Sequence, residues 1–97
     1  MKPVKRIEII IDEAELPRLA AALDAAGVAG YTIVRDARGK GRRGHRGGDG
    51  LSGEFSNGIV TIATEEAEAR RIVALVRPIL RAHGGIALIS DAEWVIR

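Results

Sequence analysis

The sequence predicts an α+β fold in which two β-α-β units are joined by a long loop. Two observations carry this prediction. Strand-like apolar segments alternate with two amphipathic helical segments, and both halves of the chain repeat the order strand, helix, glycine, strand. A segment rich in glycine and arginine, with few apolar side chains, separates the halves. The order along the chain is therefore β-α-β, loop, β-α-β.

The first predicted strand covers residues 4–11. Ile7, Ile9, Ile10 and Ile11 are β-branched and closely spaced, which favours an extended backbone. The apolar run is nearly continuous, as it is in strands that are buried on both faces. We therefore expect this strand at the centre of the sheet.

The first predicted helix covers residues 13–26. It should begin within residues 14–16, because Pro17 is tolerated only in the first turn of a helix. Apolar side chains recur along it at helical spacing: Leu16, Leu19, Ala20, Leu23 and Ala26. Gly27 follows at the position of a C-terminal cap, and a second strand is predicted over residues 31–36.

The second unit begins with a strand predicted over residues 59–64. Thr64 can cap the following helix, whose first turn is acidic, as the helix dipole favours. The apolar face of that helix consists of Ala69, Ile72, Val73, Val76, Ile79 and Leu80. We expect Pro78 to kink or loosen its last turns, and Gly84 with Gly85 to end it.

Two further strands complete the order, one over residues 86–90 and a short terminal one over residues 93–96. Two β-α-β units interleaved in one antiparallel sheet give the ferredoxin-like βαββαβ sandwich, with both helices on one face. We expect a single domain over residues 1–97, with a flexible loop at residues 38–58 between strands 2 and 3. Several strands are apolar on both faces, so other subunits should cover the face without helices.

Composition narrows the possible classes of function. The 97 residues include no cysteine, which excludes disulfides, zinc–thiolate sites and a thiol nucleophile. The chain has neither a signal-peptide pattern nor an apolar run long enough for a membrane span, so we expect a cytoplasmic protein without membrane insertion. No nucleophile–base pair or metal-ligand cluster stands out, and we predict no catalytic residue and no metal site.

The loop has the composition of an anion-binding segment. Eight of the twelve glycines lie between Gly39 and Gly58, and six of the fifteen Lys and Arg lie between Arg35 and Arg46. Glycine lets backbone N–H groups turn toward an anion, and arginine adds permanently charged donors that match phosphate or carboxylate geometry. The net charge is only +2, so the basic character is concentrated in this loop. We therefore predict a small anionic ligand or a docking partner there.

Two motifs make the chain resemble the PII signal-transduction proteins. The first is a strand entry of the form Gly-x-x-Gly-x-Thr, and the second is a Gly-x-Gly-Arg segment that opens the long T-loop of that family. The matching residues are Gly27-Val28-Ala29-Gly30-Tyr31-Thr32-Ile33 and Gly39-Lys40-Gly41-Arg42-Arg43-Gly44-His45. The end of the chain, Trp94-Val95-Ile96-Arg97, is also similar to the family's arginine after a short strand.

The resemblance implies a homotrimer that binds an adenine nucleotide (ADP, AMP or ATP) in clefts between subunits and changes the shape of its T-loop on binding. It implies nucleotide contacts by position. Thr32 would face the nucleotide, Ile10 and Ala63 would form apolar walls, and the remaining contacts would come from Gly39, Lys40, Gly41, Arg42, Arg43, Gly84, Gly85 and Arg97.

Departures from the nitrogen-sensing members indicate a subfamily. Leu51-Ser52-Gly53-Glu54-Phe55 stands where their modified tyrosine lies, and no lysine near Asn57 matches the one that holds 2-oxoglutarate. The T-loop, rich in arginine and glycine, is more similar to that of the divergent PII-like proteins associated with carboxysomes and bicarbonate. This resemblance implies bicarbonate as a second ligand, at Gly41, Arg42 and Arg43. It also implies association with carboxysomes and a partner such as a bicarbonate transporter or a carboxysome component.

Two other functions stay open at this stage. Ferredoxin-like sheets can bind RNA, and the loop is basic, but base stacking needs exposed aromatic side chains. The strands offer only Tyr31 and Trp94, so we expect no nucleic-acid partner. An enzyme or metal-tolerance protein on the same fold would need ligands that the sequence lacks. A non-catalytic regulator that responds to a nucleotide is the leading hypothesis.

Overall fold

A computed structural model describes residues 1–39 and 56–96. In this part of the chain, four strands and two helices follow in the order β1 (Lys2–Asp12), α1 (Leu16–Ala25), β2 (Thr32–Ala37), β3 (Asn57–Thr64), α2 (Glu66–His83) and β4 (Ile86–Trp94). A single turn of 3-10 helix, Glu13–Glu15, precedes α1. The loop predicted at residues 38–58 falls largely outside the described residues.

The strands form one antiparallel sheet in the order β2-β3-β1-β4. This is the strand order of a ferredoxin-like βαββαβ fold, so the predicted fold class is confirmed. The first strand pairs with β3 on one side and β4 on the other, which confirms its predicted central place.

The hydrophobic core lies between the two helices and one face of the sheet. Alternate residues of β1 and β3 point into it, because successive side chains of a strand lie on opposite faces. The buried cluster consists of Ile7, Ile9, Ile11, Val60 and Ile62 from the sheet, with Leu16, Leu19, Leu23, Ala69, Ile72 and Val76 from the helical segments. Both helices therefore cover the same face, and we call the opposite one the helix-free face.

The end of α1 follows the sequence prediction. Gly27 has a φ of +76°, a left-handed conformation that glycine adopts without a Cβ clash. Its N–H donates to the Asp24 carbonyl at 3.0 Å, and the Val28 N–H donates to the Leu23 carbonyl at 3.0 Å. These two bonds form a Schellman motif, which satisfies carbonyls that the helix end would otherwise leave unpaired.

The start of α2 differs from the prediction, because Glu65 and not Thr64 occupies the N-cap position. Thr64 belongs to β3, where it pairs with Lys5 of β1. Its backbone is therefore part of the sheet and does not start the helix. Glu65 makes no side-chain capping bond and instead contacts Lys2 Nζ at 2.7 Å. The helix continues past Pro78 to His83, and Gly84 ends it as predicted.

The fourth strand is longer than predicted. It runs without interruption from Ile86 to Trp94, so the separate terminal strand predicted over residues 93–96 is wrong for the described residues. The reason is that β1 begins at Lys2, two residues before the predicted start, and supplies partners for the end of β4. The Lys2 ammonium lies 5.6 Å from the centre of the Trp94 ring, which stabilises this end of the pair.

Candidate functional site

One apolar row crosses the whole helix-free face. Each of the four strands contributes one residue, and neighbours are direct partners in the sheet: Val34 with Ile59, Ile59 with Ile10, and Ile10 with Ile86. The two ends of this apolar row, Val34 and Ile86, are 50% and 53% exposed. Leu88, on the same face of β4, is 55% exposed. A continuous apolar surface of this kind is typical of a protein interface.

The two predicted wall residues, Ile10 and Ala63, and Thr32, predicted to face the nucleotide, all lie on the helix-free face but at different levels along the strands. Ile10 belongs to the apolar row, Thr32 pairs with Thr61, and Ala63 pairs with Arg6. Arg6, the partner of Ala63, lies four positions before Ile10 in β1, which corresponds to about 13 Å along the strand. A single protomer therefore does not bring Ala63 next to Ile10.

Gly84 and Gly85 connect α2 to β4 through backbone conformations that favour glycine. Their φ angles are +81° and +112°. The N–H of Gly84 donates to the Leu80 carbonyl at 2.7 Å. A Cβ on Gly85 would lie 2.8 Å from the Ile10 carbonyl oxygen, so the backbone approach requires glycine. The structure thus brings Gly84, Gly85 and Ile10 together.

The chain leaves β2 through an irregular turn. The register between β2 and β3 shifts between Val34 and Ala37, and Asp36 has a φ of +59°, which is uncommon outside glycine. Its N–H donates to Glu13 Oε1 at 3.0 Å. Its Oδ1 accepts a hydrogen bond from Ser56 Oγ, also at 3.0 Å. We call residues 35–39 with Ser56 the loop stem.

The loop stem and the two glycines lie at the same end of the sheet. Ala37 pairs with Asn57, Asn57 pairs with Asp12, and Gly85 contacts Ile10 two residues earlier in β1. Gly39 is exposed at this end, and a Cβ there would meet no atom within 4 Å. The other predicted contacts, Lys40, Gly41, Arg42, Arg43 and Arg97, lie outside the described residues, and their roles stay predictions.

An open groove of about 720 Å³ lies near the opposite end of β1, beside the start of α2. Lys5 Nζ lies 2.5 Å from Asp91 Oδ1 across it. The hydrogen bond from Lys5 lowers the pKa of the Asp91 carboxyl, and the same bond raises the pKa of Lys5. Glu66 at its wall pairs with Arg70 at 3.0 Å. Since these charges neutralise each other, the groove should attract an anion less strongly than the end of the sheet that carries the loop stem, Gly84 and Gly85, which we call the glycine-lined end.

The described residues contain neither a metal-ligand cluster nor a membrane-spanning helix. Across residues 1–39 and 56–96, no three His, Cys, Asp or Glu side chains are grouped as metal ligands. In the same ranges no helix is long and apolar enough to cross a membrane.

The sequence did not predict Glu13, Asp36 and Ser56 as site residues. Asp36 is the only acidic residue within residues 35–46, which are otherwise rich in Arg and Lys. Its isolation was the only sequence feature that could have indicated a role at the site. The contacts of Asp36 with Glu13 and Ser56 span 23 and 20 positions, and no periodic pattern indicates such pairs.

Comparisons with known proteins agree on one group. The model of a family described as nitrogen regulatory protein P-II matches residues 4–97. A search of the curated proteins found no match.

Solved structures of PII-like proteins are similar over nearly the whole chain. CPII, a nitrogen regulatory PII-like protein from Thiomonas intermedia, bound to ADP, AMP and bicarbonate, has a TM-score of 0.79 and 28% identity, with 98% of this chain and 96% of that chain covered. CPII bound to ADP and bicarbonate has a TM-score of 0.76 and 32% identity, covering 95% and 88%. A PII-like signaling protein from Thermus thermophilus has a TM-score of 0.69 and 28% identity, covering 97% and 91%.

Proposed function

Because the chain belongs to the nitrogen regulatory protein P-II family, we propose that it is a non-catalytic regulator that binds ADP, AMP or ATP in clefts between subunits. The observation that carries the proposal is the likeness to CPII. That protein was solved with ADP, AMP and bicarbonate, and it is similar to this chain over nearly its full length. The proposal includes an adenine nucleotide as the ligand and bicarbonate as a second one.

The backbone at the glycine-lined end of the sheet supports the proposal that the nucleotide phosphates bind there. Gly84 and Gly85 have left-handed backbone conformations, Gly85 is exposed, and Gly39 lies exposed at the same end. Backbone N–H groups of glycine segments can turn toward phosphate oxygens. In the proposal, Lys40, Arg42, Arg43 and Arg97 add the positive charge that the phosphates need.

The apolar row supports assembly into a homotrimer. Its four aliphatic residues cross the sheet, and its two ends are half exposed in a single protomer. Burying this surface against other subunits would remove it from water. Ile10 and Ala63, separated within one protomer, would then contribute to a cleft from different subunits.

The loop is the proposed output of the signal. Ligands that contact its base would change its conformation and so its docking on another protein. We place the pathway in inorganic-carbon metabolism, with a bicarbonate transporter or a carboxysome component as the partner class and the cytoplasm or the carboxysome as the location.

The described part of the structure gives the alternative, an RNA-binding sheet, little support. The hydroxyl of Tyr31 donates to Asp24 Oδ1 at 2.7 Å, and Trp94 lies at the end of β4 beside Lys2. In residues 1–39 and 56–96, neither the apolar row nor the neighbouring row of Thr32, Thr61, Glu8 and Leu88 offers a ring for base stacking.

Calorimetric titration with ADP, AMP, ATP and a short RNA tests the proposal. We expect heat of binding with at least one adenine nucleotide and none with RNA. Light scattering of the same samples should give the mass of a trimer. Binding to RNA without a response to any adenine nucleotide would overturn the proposed function.

A further inference from the structure

The exit of the chain from β2 is held in a left-handed backbone conformation, which is uncommon outside glycine and which Asp adopts more readily than most other residues. Asp36 has a φ of +59° at the point where the pairing of β2 with β3 shifts register. A residue without glycine's freedom loses on the order of 1–3 kcal/mol in such a conformation and persists there only when its surroundings hold it. Those surroundings are visible in the described residues.

Glu13 holds both sides of the loop stem. Its Oε1 accepts the N–H of Asp36 at 3.0 Å, and its Oε2 lies 3.7 Å from Arg35 Nη1. The backbone N–H of the same residue donates to the carbonyl of Ser56 at 2.9 Å. Thus one residue contacts the outgoing chain through its carboxylate and the returning chain through its backbone.

A direct bond joins the two sides as well. Ser56 Oγ donates to Asp36 Oδ1, while Arg38 Nε lies 3.6 Å from the same oxygen. The carboxylates of Glu13 and Asp36 are thereby balanced by Arg35 and Arg38. Neither carboxylate is left without a positive partner, which limits the repulsion between them.

The residues around Glu13 are capped and closely packed. Asp12 Oδ1 accepts the Ala14 N–H at 3.1 Å, which caps the 3-10 turn. Leu16, fully buried, lies so close to Gly58 that an added Cβ would come within 2.4 Å of its Cδ1. The start of α1 and the start of β3 are therefore fixed against each other, and Glu13 projects from that junction.

We infer that Glu13 is a positioning residue that fixes the direction in which both ends of the loop leave the sheet. This inference rests on the proposed function for its consequence: a stem that is already ordered costs less entropy when Gly39 and the adjoining residues meet a nucleotide. Glu13 touches no ligand in this scheme. It raises the affinity for the nucleotide by restricting the conformations of the loop stem in the free protein.

A spin label at the stem tests the structural part without any ligand. The chain has no cysteine, so Gly39→Cys can be labelled at a single site, and the open space around Gly39 accepts the label. The label should become more mobile in Glu13→Ala and in Ser56→Ala. Glu13→Gln keeps an oxygen for the Asp36 N–H and should stay near the parent line shape. Glu68→Ala is the matched control, since Glu68 is similarly exposed and pairs with Arg71 on α2.

Nucleotide affinity is measured in the same variants without the label, so that Gly39 is intact. Glu13→Ala should raise the dissociation constant roughly three- to tenfold, the range of one ordinary hydrogen bond, and Glu13→Gln should restore most of it. An unchanged line shape in both Glu13→Ala and Ser56→Ala overturns the inference, whether or not a nucleotide binds. A mobile stem with unchanged affinity overturns it too. A mobile stem in a protein that binds no nucleotide supports the stem role and rejects the proposed function instead.

Discussion

Gly85 lies against the backbone carbonyl of Ile10, so that an added Cβ would approach the oxygen to 2.8 Å. This contact fixes the entry of β4 beside the central strand, where Ile86 then pairs with Ile10. The same contact sets the position of the exposed Ile86 side chain at the end of the apolar row. Gly85 therefore has a structural role in addition to its proposed role near the phosphates.

Gly85→Ala should destabilise the fold. The φ of +112° is unfavourable for alanine, and the methyl group would meet the Ile10 oxygen, so we expect a loss of about 1–3 kcal/mol in the free energy of unfolding. Denaturant titration measures it. Gly30→Ala is the control, because a Cβ there meets nothing within 4 Å and should change stability by less than about 0.5 kcal/mol. Equal stability of the two variants would contradict the geometric argument.

Arginine replacements test the phosphate contacts. Arg42→Ala or Arg43→Ala, and also Arg97→Ala, should weaken nucleotide binding by about 1.5–3 kcal/mol, because in the proposed site each would remove a charge-assisted hydrogen bond. Arg77→Ala, on the exposed side of α2, serves as the control for a lost positive charge. Unchanged affinity in all of the first three variants would mean that the phosphates bind elsewhere.

The apolar row predicts that assembly depends on Ile86. Ile86→Glu should convert the proposed trimer into smaller species, since a buried carboxylate without a partner is costly. Ala74→Glu introduces the same charge on the exposed side of α2 and should leave the mass unchanged. Light scattering at micromolar concentration distinguishes the two, and a trimeric Ile86→Glu variant would remove the row from the interface.

The pair of Lys5 and Asp91 predicts a pH dependence of stability. The folded-state pKa of Asp91 is lowered from 3.8 and that of Lys5 is raised from 10.5 by their mutual hydrogen bond. The pair's contribution is therefore complete between these two values. It declines as pH falls through the lowered pKa of Asp91, and it declines as pH rises through the raised pKa of Lys5.

Asp91→Asn should thus be less stable than the parent protein near neutral pH, and the difference should disappear in acid. Lys5 is partly exposed and Asp91 largely exposed, so added salt should reduce the difference as well. Glu93→Gln, two residues along the same strand, is the control. Melting temperatures across pH provide the measurement, and a constant difference down to the acid limit would refute the assignment.

The sequence predicted those parts of the fold that short-range patterns determine. The isoleucines of β1 and the glycine after α1 indicated their elements because spacing and φ preferences act within a few residues. The limits of α2 and β4 were less predictable, since Thr64 and Trp94 take their conformations from Lys5 and Lys2 of the distant β1. Likewise Glu13 could be identified as a contact of Asp36 only from the folded chain.

Bicarbonate should strengthen nucleotide binding if both ligands order the same base of the loop, residues 39–43. The second ligand then meets a segment whose conformational entropy has already been lost, so the two ligands stabilise each other by on the order of 1–3 kcal/mol. Titrations of ADP with and without bicarbonate, at fixed pH and ionic strength, measure this coupling. The reverse titration should give the same factor, because linkage is reciprocal. Chloride at equal ionic strength is the control for a general anion effect, and Glu13→Ala should retain the coupling while lowering both affinities. Equal ADP affinities with and without bicarbonate would exclude bicarbonate from the mechanism. The protein would then be a sensor of adenine nucleotides only.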